Sequence, residues 1–268
     1  MAASQLVFIG GGNMAGAIFG GLLQGGWPPA SITVVEPGAE QRDRIALAHP
    51  GVRLLAAADP SLANADIVIW AVKPQSFAAA AAPCAGLVGA ALQLSVMAGI
   101  RSDAIVRATG SQRAVRAMPN TPALIGQGIA ALFARPAVSD DERAAVAQVL
   151  APTGSLVWVA READLDAVTA LSGSGPAYVF FFLEAMIEAG TQMGLGAEQA
   201  RRLAQETFAG AARLAMQSDE SPALLRERVT SKGGTTQAAI SSLETSQVKA
   251  AFIKALHAAR ARAEELGR

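Results

Sequence analysis

Residues 6–15 read Leu6-Val7-Phe8-Ile9-Gly10-Gly11-Gly12-Asn13-Met14-Ala15. The four apolar residues predict a buried strand, and the glycines a tight turn. The stretch AIFGGLL at 17–23 then predicts a helix. Gly10, Gly12 and Ala15 fall at the spacing G-x-G-x-x-G/A between strand and helix. Gly10 permits the turn, Gly12 lets the backbone approach a pyrophosphate, and Ala15 lets the helix pack close to the strand. Free N–H groups at the helix start then face the phosphates. The site this predicts binds a dinucleotide.

Working outward, ITVV at 32–35 predicts a second strand, ended by Glu36-Pro37. DIVIWAV at 66–72 predicts a third, stopped by Lys73-Pro74. LQLSVM (92–97), AVRAM (114–118), IAALF (129–133) and SLVWV (155–159) continue the series. Strands alternating with helical patterns give βαβ units and a largely parallel, doubly wound α/β sheet. Past residue 160 the pattern turns helical. Ala200, Leu203, Ala204, Thr207, Phe208, Ala211, Leu214 and Ala215 recur at helical spacing, as do Val248, Phe252, Leu256 and Ala259. After Pro176 the run Tyr178 to Leu183 is apolar all round a helix, which requires burial on several sides. The chain divides into a dinucleotide-binding domain, 1–160, and an all-helical one, 161–268. The second carries more apolar surface than so small a domain hides, and a second copy would cover it.

Composition narrows the function. Lys+Arg and Asp+Glu are equal at 22 each, with no charged block, which argues against nucleic acid or an anionic membrane surface as partner. A single cysteine, Cys84, excludes an internal disulfide. Cys84, His49 and His257 lack the spacing of a metal site, so no metal is expected. Mean hydropathy is +0.32, a value that 60 alanines explain. Residues 1–35 and 74–100 carry no charge, but prolines and glycines break both before a membrane span is complete. The expectation is a cytoplasmic protein.

Glu36 closes the second strand, where a carboxylate accepts from ribose hydroxyls and repels a 2′-phosphate. Alone it favours NADH over NADPH; Arg42 and Arg44 stand close enough in sequence to offset it. It could instead cap a helix after Pro37. Ala71-Val72-Lys73-Pro74 and RAMPNTP at 116–122 are strand exits, and such ends line ligand crevices in doubly wound sheets. In the helical half, TALSGSGPAY (169–178) and TSKGGTTQAAI (230–240) both read as glycine-softened helix starts with spare N–H groups and hydroxyls. Each suits a small carboxylate, although serine and threonine there also serve as ordinary caps. No Ser-His-Asp or Cys-His set is apparent. A reductase without a histidine acid suits a protonated imine, which already carries the positive charge a ketone would need supplied.

Taken together, IGGGNMA (9–15), AVKP (71–74), RAMPNTP (116–122), TALSGSGPAYVF (169–180), QETFAGAA (205–212) and SKGGTT (231–236) resemble the pyrroline-5-carboxylate reductases, in that family's order. The resemblance implies a Rossmann-type domain joined to an all-α dimerisation domain, a homodimer, and association of five dimers into a decamer. It implies reduction of L-1-pyrroline-5-carboxylate to L-proline by NADPH or NADH at a dimer-interface site. Gly10, Gly12, Asn13 and Met14 resemble the family's phosphate turn, and Ala71, Val72, Lys73 and Pro74 its nicotinamide-side strand exit. Ser231, Gly233, Gly234 and Thr235 match its carboxylate loop. Thr236 matches the threonine that hydrogen-bonds the ring nitrogen, and Asp219 falls where an acidic residue lines the pocket. Lys232 departs from the family's proline; the expectation is a mild effect on substrate affinity and no change of reaction. Two rivals stay open on the residues alone: a reductase of another cyclic imine or a hydroxyacid, and a non-catalytic dinucleotide sensor.

Overall fold

The computed structural model describes residues 4–267. Eight strands form one sheet: β1 (Leu6–Ile9), β2 (Ile32–Val35), β3 (Arg53–Leu55), β4 (Ile67–Trp70), β5 (Leu92–Ser95), β6 (Ala114–Met118), β7 (Gly128–Ala134) and β8 (Gly154–Trp158). Their order is β3-β2-β1-β4-β5-β6-β7-β8. Every pairing is parallel except the antiparallel β6–β7. Around the sheet run α1 (Asn13–Gln24), α2 (Ala39–Ala48), α3 (Phe77–Ala81), α4 (Ser102–Thr109) and α5 (Asp140–Leu150). Seven of the eight strands coincide with the apolar runs read from the sequence. The eighth, β3, is three residues long and opens on exposed Arg53, too short and too polar to register as an apolar run.

The central strands β1 and β4 are buried at every position, as continuous apolar runs covered on both faces must be. One face packs Phe8 edge-on against Phe19 of α1, ring centroids 5.4 Å apart. The other packs Trp70 against Phe77 of α3 at 5.3 Å. Buried Gln93 answers the polar edge of Trp70: its Oε1 accepts from the indole N–H at 2.9 Å, and its amide donates to the carbonyls of Val88 and Ala91. Without these bonds the indole N–H would be an unpaired buried donor.

Beyond β8 the described residues contain no strand. They form α6 (Asp164–Val168), α7 (Gly175–Gln192), α8 (Ala197–Met216), α9 (Pro222–Arg228), α10 (Thr235–Thr245) and α11 (Val248–Leu266). The chain separates into two compact units. The first runs through Ser174 and includes the chain again from Ala259; the second is Gly175–Ala258. This division lies later than residue 160 because Glu162 and Asp166 are bound to Ser102, Arg116 and Arg101 of the first unit. Within the second unit α7 and α8 pack closely: a Cβ on Gly190 would stand 3.0 Å from that of Ala200. Phe252 packs edge-on between Tyr178 and Phe182. Yet Val179, Phe180, Phe181, Leu203 and Leu214 remain exposed in the single chain. The all-round apolar helix expected to be buried on several sides is therefore uncovered on some of them.

One reading of the sequence fails here. A helix, α7, does open at Gly175, but 169–174 are not a free start for it. Helical backbone runs on from Asp164 to Gln192, and Thr169–Gly173 form a π-turn within it, in which the N–H of Ser174 donates to the carbonyl of Thr169 at 2.8 Å. The hydroxyls of Thr169 and Ser172 donate to the carbonyls four residues back. Preceding helix satisfies the donors that the glycine-serine pattern suggested were spare. The turn closes against β6, since a Cβ on Gly173 would lie 2.5 Å from Met118 Cε.

Candidate functional site

The strand order places the reversal of winding between β1 and β4, and doubly wound sheets bind ligands outside the carboxyl ends of the strands at such a point. A cavity of about 510 Å³ lies there, lined among others by Gly10, Gly12, Val35, Glu36, Ala71 and Lys73. Gly10 has φ +99°, and a Cβ on it would come within 2.9 Å of the Ala71 carbonyl oxygen. Its N–H donates to the Val35 carbonyl at 2.9 Å, which pins the turn to the end of β2. Gly12 differs: its φ is −73°, and a Cβ would meet nothing within 4 Å. The first glycine is required by the fold, while the second leaves room above the start of α1. No side chain caps α1, so its first N–H groups face that room, and a pyrophosphate fits the donors and the space.

Glu36 is half-buried beside this turn. Its Oε2 accepts from the N–H of Gly11 and its Oε1 from the N–H of Gly38, both at 2.9 Å. Glu36 is therefore no side-chain cap of α2, whose N-cap is Gly38; it accepts from that residue's N–H and also lines the cavity. Asn13 and Met14 begin α1, Asn13 exposed and Met14 half-buried against the core. Ala71 and Val72 border the cavity as β4 leaves the sheet, and exposed Lys73 and Pro74 turn the chain into α3. Cys84 lines the same cavity but is buried, which pushes its thiol pKa up, and its Sγ donates to the Ala80 carbonyl. A raised thiol pKa makes it a poor nucleophile.

The exit from β6 behaves differently from expectation. Arg116 is buried and donates to Glu162 Oε1 at 2.9 Å rather than facing a crevice. Asn120 Oδ1 accepts from the N–H of Ile129 at 3.0 Å and so steadies the start of β7. The sequence reading missed Glu162. It accepts from the Ser102 N–H at 2.6 Å and the Ser102 hydroxyl at 2.7 Å besides Arg116. Burial pushes the Glu162 carboxyl pKa up, but these three donors outweigh it and hold the group below the usual glutamate value. Burial likewise draws Arg116 below the arginine range, opposed by the Glu162 charge. Next to them Arg101 pairs with buried Asp166 at 2.7 Å. Only the acidic residue beside the apolar strand signal could have pointed to this network.

In the second unit, Ser231, Gly233, Gly234, Thr235 and Thr236 lie together as the loop that opens α10. Gly233 has φ +76°, and the Gly234 N–H closes the turn on the Ser231 carbonyl at 3.0 Å. Gly234 caps α10 without a side chain, so the N–H groups of Thr235, Thr236 and Gln237 have no partner within the helix. The Gly233 N–H is taken by Gln237 Oε1 at 2.5 Å, a contact the sequence reading did not foresee. Thr236 is half-buried, and Lys232 is exposed. Asp219 is exposed in the turn between α8 and α9, next to Glu220, which pairs with Arg228. His49 packs edge-on against Phe19 at 5.2 Å, and His257 is exposed. Among the described residues no three His, Cys, Asp or Glu side chains gather as a metal site.

Comparison with known proteins agrees with this geometry. Residues 162–266 match the family described as pyrroline-5-carboxylate reductase dimerisation, and residues 5–99 the one described as NADP oxidoreductase, coenzyme F420-dependent. A pyrroline-5-carboxylate reductase of Pseudomonas aeruginosa is 42% identical, over 99% of this chain and 98% of that one. The structure of such a reductase from Coxiella burnetii superposes with TM-score 0.90 at 38% identity, covering 99% of both chains. A Plasmodium falciparum pyrroline carboxylate reductase with NADP bound superposes with TM-score 0.88 at 26% identity, covering 100% of both. Identity at this level along almost the entire sequence, with the family's dimerisation region matched over 162–266, means that the chain belongs to the pyrroline-5-carboxylate reductase family.

Proposed function

We infer that this chain reduces L-1-pyrroline-5-carboxylate to L-proline with NAD(P)H, the last step of proline synthesis, as a homodimer. Membership of the family, with the glycine turn and the residues Ser231, Gly233, Gly234, Thr235 and Thr236 all present, carries the reading. When bound, the nicotinamide supplies a hydride to C5 of the imine, and the ring nitrogen takes up one proton. The first-turn N–H groups of α1 hold the pyrophosphate. The Ser231 and Thr235 hydroxyls and the N–H groups opening α10 hold the substrate carboxylate; a carboxylate arriving there competes with Gln237 for the Gly233 N–H. The Thr236 hydroxyl orients the ring nitrogen. A neutral hydroxyl is too weak an acid to be the sole proton source, so the imine that reacts is the protonated one. Rate then comes from alignment and from fixed dipoles around the charged ring.

Thr236→Ala is expected to lower kcat/KM for pyrroline-5-carboxylate tenfold or more, about 1.4 kcal/mol of transition-state stabilisation. Dinucleotide affinity should stay unchanged, and Thr236→Ser should keep most of the rate. Wild-type kinetics in the alanine variant would remove Thr236 from the mechanism. Asp219 lines the substrate pocket in this reading, and five dimers form a decamer; sedimentation velocity separates two subunits from ten. The helix Asp164–Gln192 is long and apolar enough to cross a membrane by length and composition. Its place in a dimerisation region supports a cytoplasmic protein whose second copy covers that surface. Retention of the chain by membranes after a carbonate wash would count against it.

A further inference from the structure

The carboxylate at the end of β2 lines the cavity at the glycine turn, and among the described residues it has no salt-bridge partner. We propose that Glu36 makes this chain select NADH over NADPH by tenfold or more. The inference rests on the dinucleotide reading above and deepens it.

Glu36 cannot move aside easily. One oxygen is held by Gly11, inside the phosphate turn itself, and the other by Gly38, the cap of α2. A carboxylate offers about four lone-pair sites, so two backbone bonds leave acceptors for the 2′- and 3′-hydroxyls of a ribose at this turn. A 2′-phosphate brings nearly two further negative charges to the same place and offers oxygens where donors are needed. Repulsion there is not offset locally. Neither of the two arginines that follow Glu36 in sequence is paired with its carboxylate. Arg42 Nη1 donates to the carbonyls of Glu36 and Pro37, at 2.8 and 2.7 Å, and so closes on the backbone of the loop. Arg44 pairs with Glu40 at 2.5 Å and borders the neighbouring cavity over Gly11, Gly12 and Asn13, not the one that Glu36 lines.

The rest of the cavity wall supplies little more. Beyond β3 it is Ala56, Ala57 and Ala58, with neither hydroxyl nor guanidinium for a phosphate. Lys73 is the one lysine or arginine among the described residues lining the cavity. It follows β4, whereas Glu36 follows β2, and the two strands flank β1 on opposite sides. Two strand spacings, about 10 Å, separate those strands. Lys73 therefore serves the half of the cavity away from the Glu36 ribose position.

Calorimetric titration of the full-length protein with NADH and NADPH tests the proposal without turnover. Wild type should bind NADH at least tenfold more tightly. Glu36→Ser, which removes the charge, should shift the affinity ratio toward NADPH by tenfold or more. Glu36→Gln keeps the shape and an acceptor for one glycine N–H, and should shift it in the same direction; a melting curve confirms that each variant is folded. Arg42→Ala should leave the ratio unchanged. Initial rates with pyrroline-5-carboxylate should follow the binding ratios. Equal or tighter binding of NADPH by wild type overturns the proposal, as does an unchanged ratio in folded Glu36→Ser. A ratio that moves toward NADH in Arg42→Ala overturns the argument that Arg42 is committed to the backbone. Binding of neither dinucleotide would overturn the function proposed above, and this inference with it; tight binding of both without turnover would overturn the reaction alone.

Discussion

Gly10 and Gly12 stand two residues apart and are required for different reasons, which allows folding and binding to be separated by single methyl groups. At Gly10 the backbone is left-handed and a Cβ would lie 2.9 Å from a main-chain oxygen that cannot retreat from the sheet. Gly10→Ala is expected to lower the melting temperature and abolish dinucleotide binding together. At Gly12 the backbone is extended and the space beyond is open. Gly12→Ala should cost less than about 1 kcal/mol in stability, the usual scale for a change at a helix cap. Its methyl group projects where a pyrophosphate approaches, so dinucleotide affinity should fall tenfold or more. Paired melting curves and titrations check both; a Gly12→Ala protein with normal affinity would mean that the phosphates do not sit on this turn. Sequence spacing alone assigned the two glycines their roles, but only their φ values and neighbours show which one the fold depends on.

At the scale of elements, the segment containing α6 is joined to the sheet by charges that no periodicity reveals. Buried Arg116 on β6 meets Glu162, and Glu162 also accepts from both donors of Ser102 at the start of α4. Removing one partner of a buried pair leaves an uncompensated charge, so Glu162→Ala should destabilise the protein by about 3 kcal/mol. Because the folded-state carboxyl pKa of Glu162 is depressed below the unfolded value of 4.5, its contribution is fully present above pH 4.5 and lost as pH falls through the folded pKa. Urea titrations between pH 3 and pH 7 should therefore show wild-type stability falling on the acid side more steeply than that of Glu162→Gln. Equal slopes would mean that the pair does not contribute. The same network explains why the compact unit extends to Ser174: a sequence reading sees where strands stop, not which helix the sheet retains. The serine-glycine stretch at 172–175 misled for a related reason. Glycine and serine mark a helix start only if nothing precedes them to take up their N–H groups, and here α6 does.

For the molecule as a whole, a helix whose exposed face carries Phe180 and Phe181 lies within the region, 162–266, that matches the dimerisation family. Phe181→Arg should shift sedimentation from dimer to monomer. If the reacting crevice draws its dinucleotide turn from one subunit and its substrate loop from the other, two impaired variants should rescue each other. Mixing Gly12-substituted and Thr236-substituted subunits by unfolding and refolding would form hybrids with one intact site, and roughly a quarter of wild-type activity should return. No recovery would place both halves of the site in the same chain.

Local pattern was enough to specify seven strands, the glycine turn and the 231–236 loop. A buried parallel strand must be continuously apolar, and a chain that turns sharply onto a phosphate must be glycine there, so these constraints are written in adjacent residues. What tertiary structure alone decided depends on partners distant in sequence. The engagement of Arg42 by the Glu36 and Pro37 carbonyls, the capture of Glu162 by Ser102 and Arg116, and the three-residue edge strand beside β2 are of this kind. A charge has no direction in a sequence; it acquires one only when folding determines which neighbour is near enough to bind it.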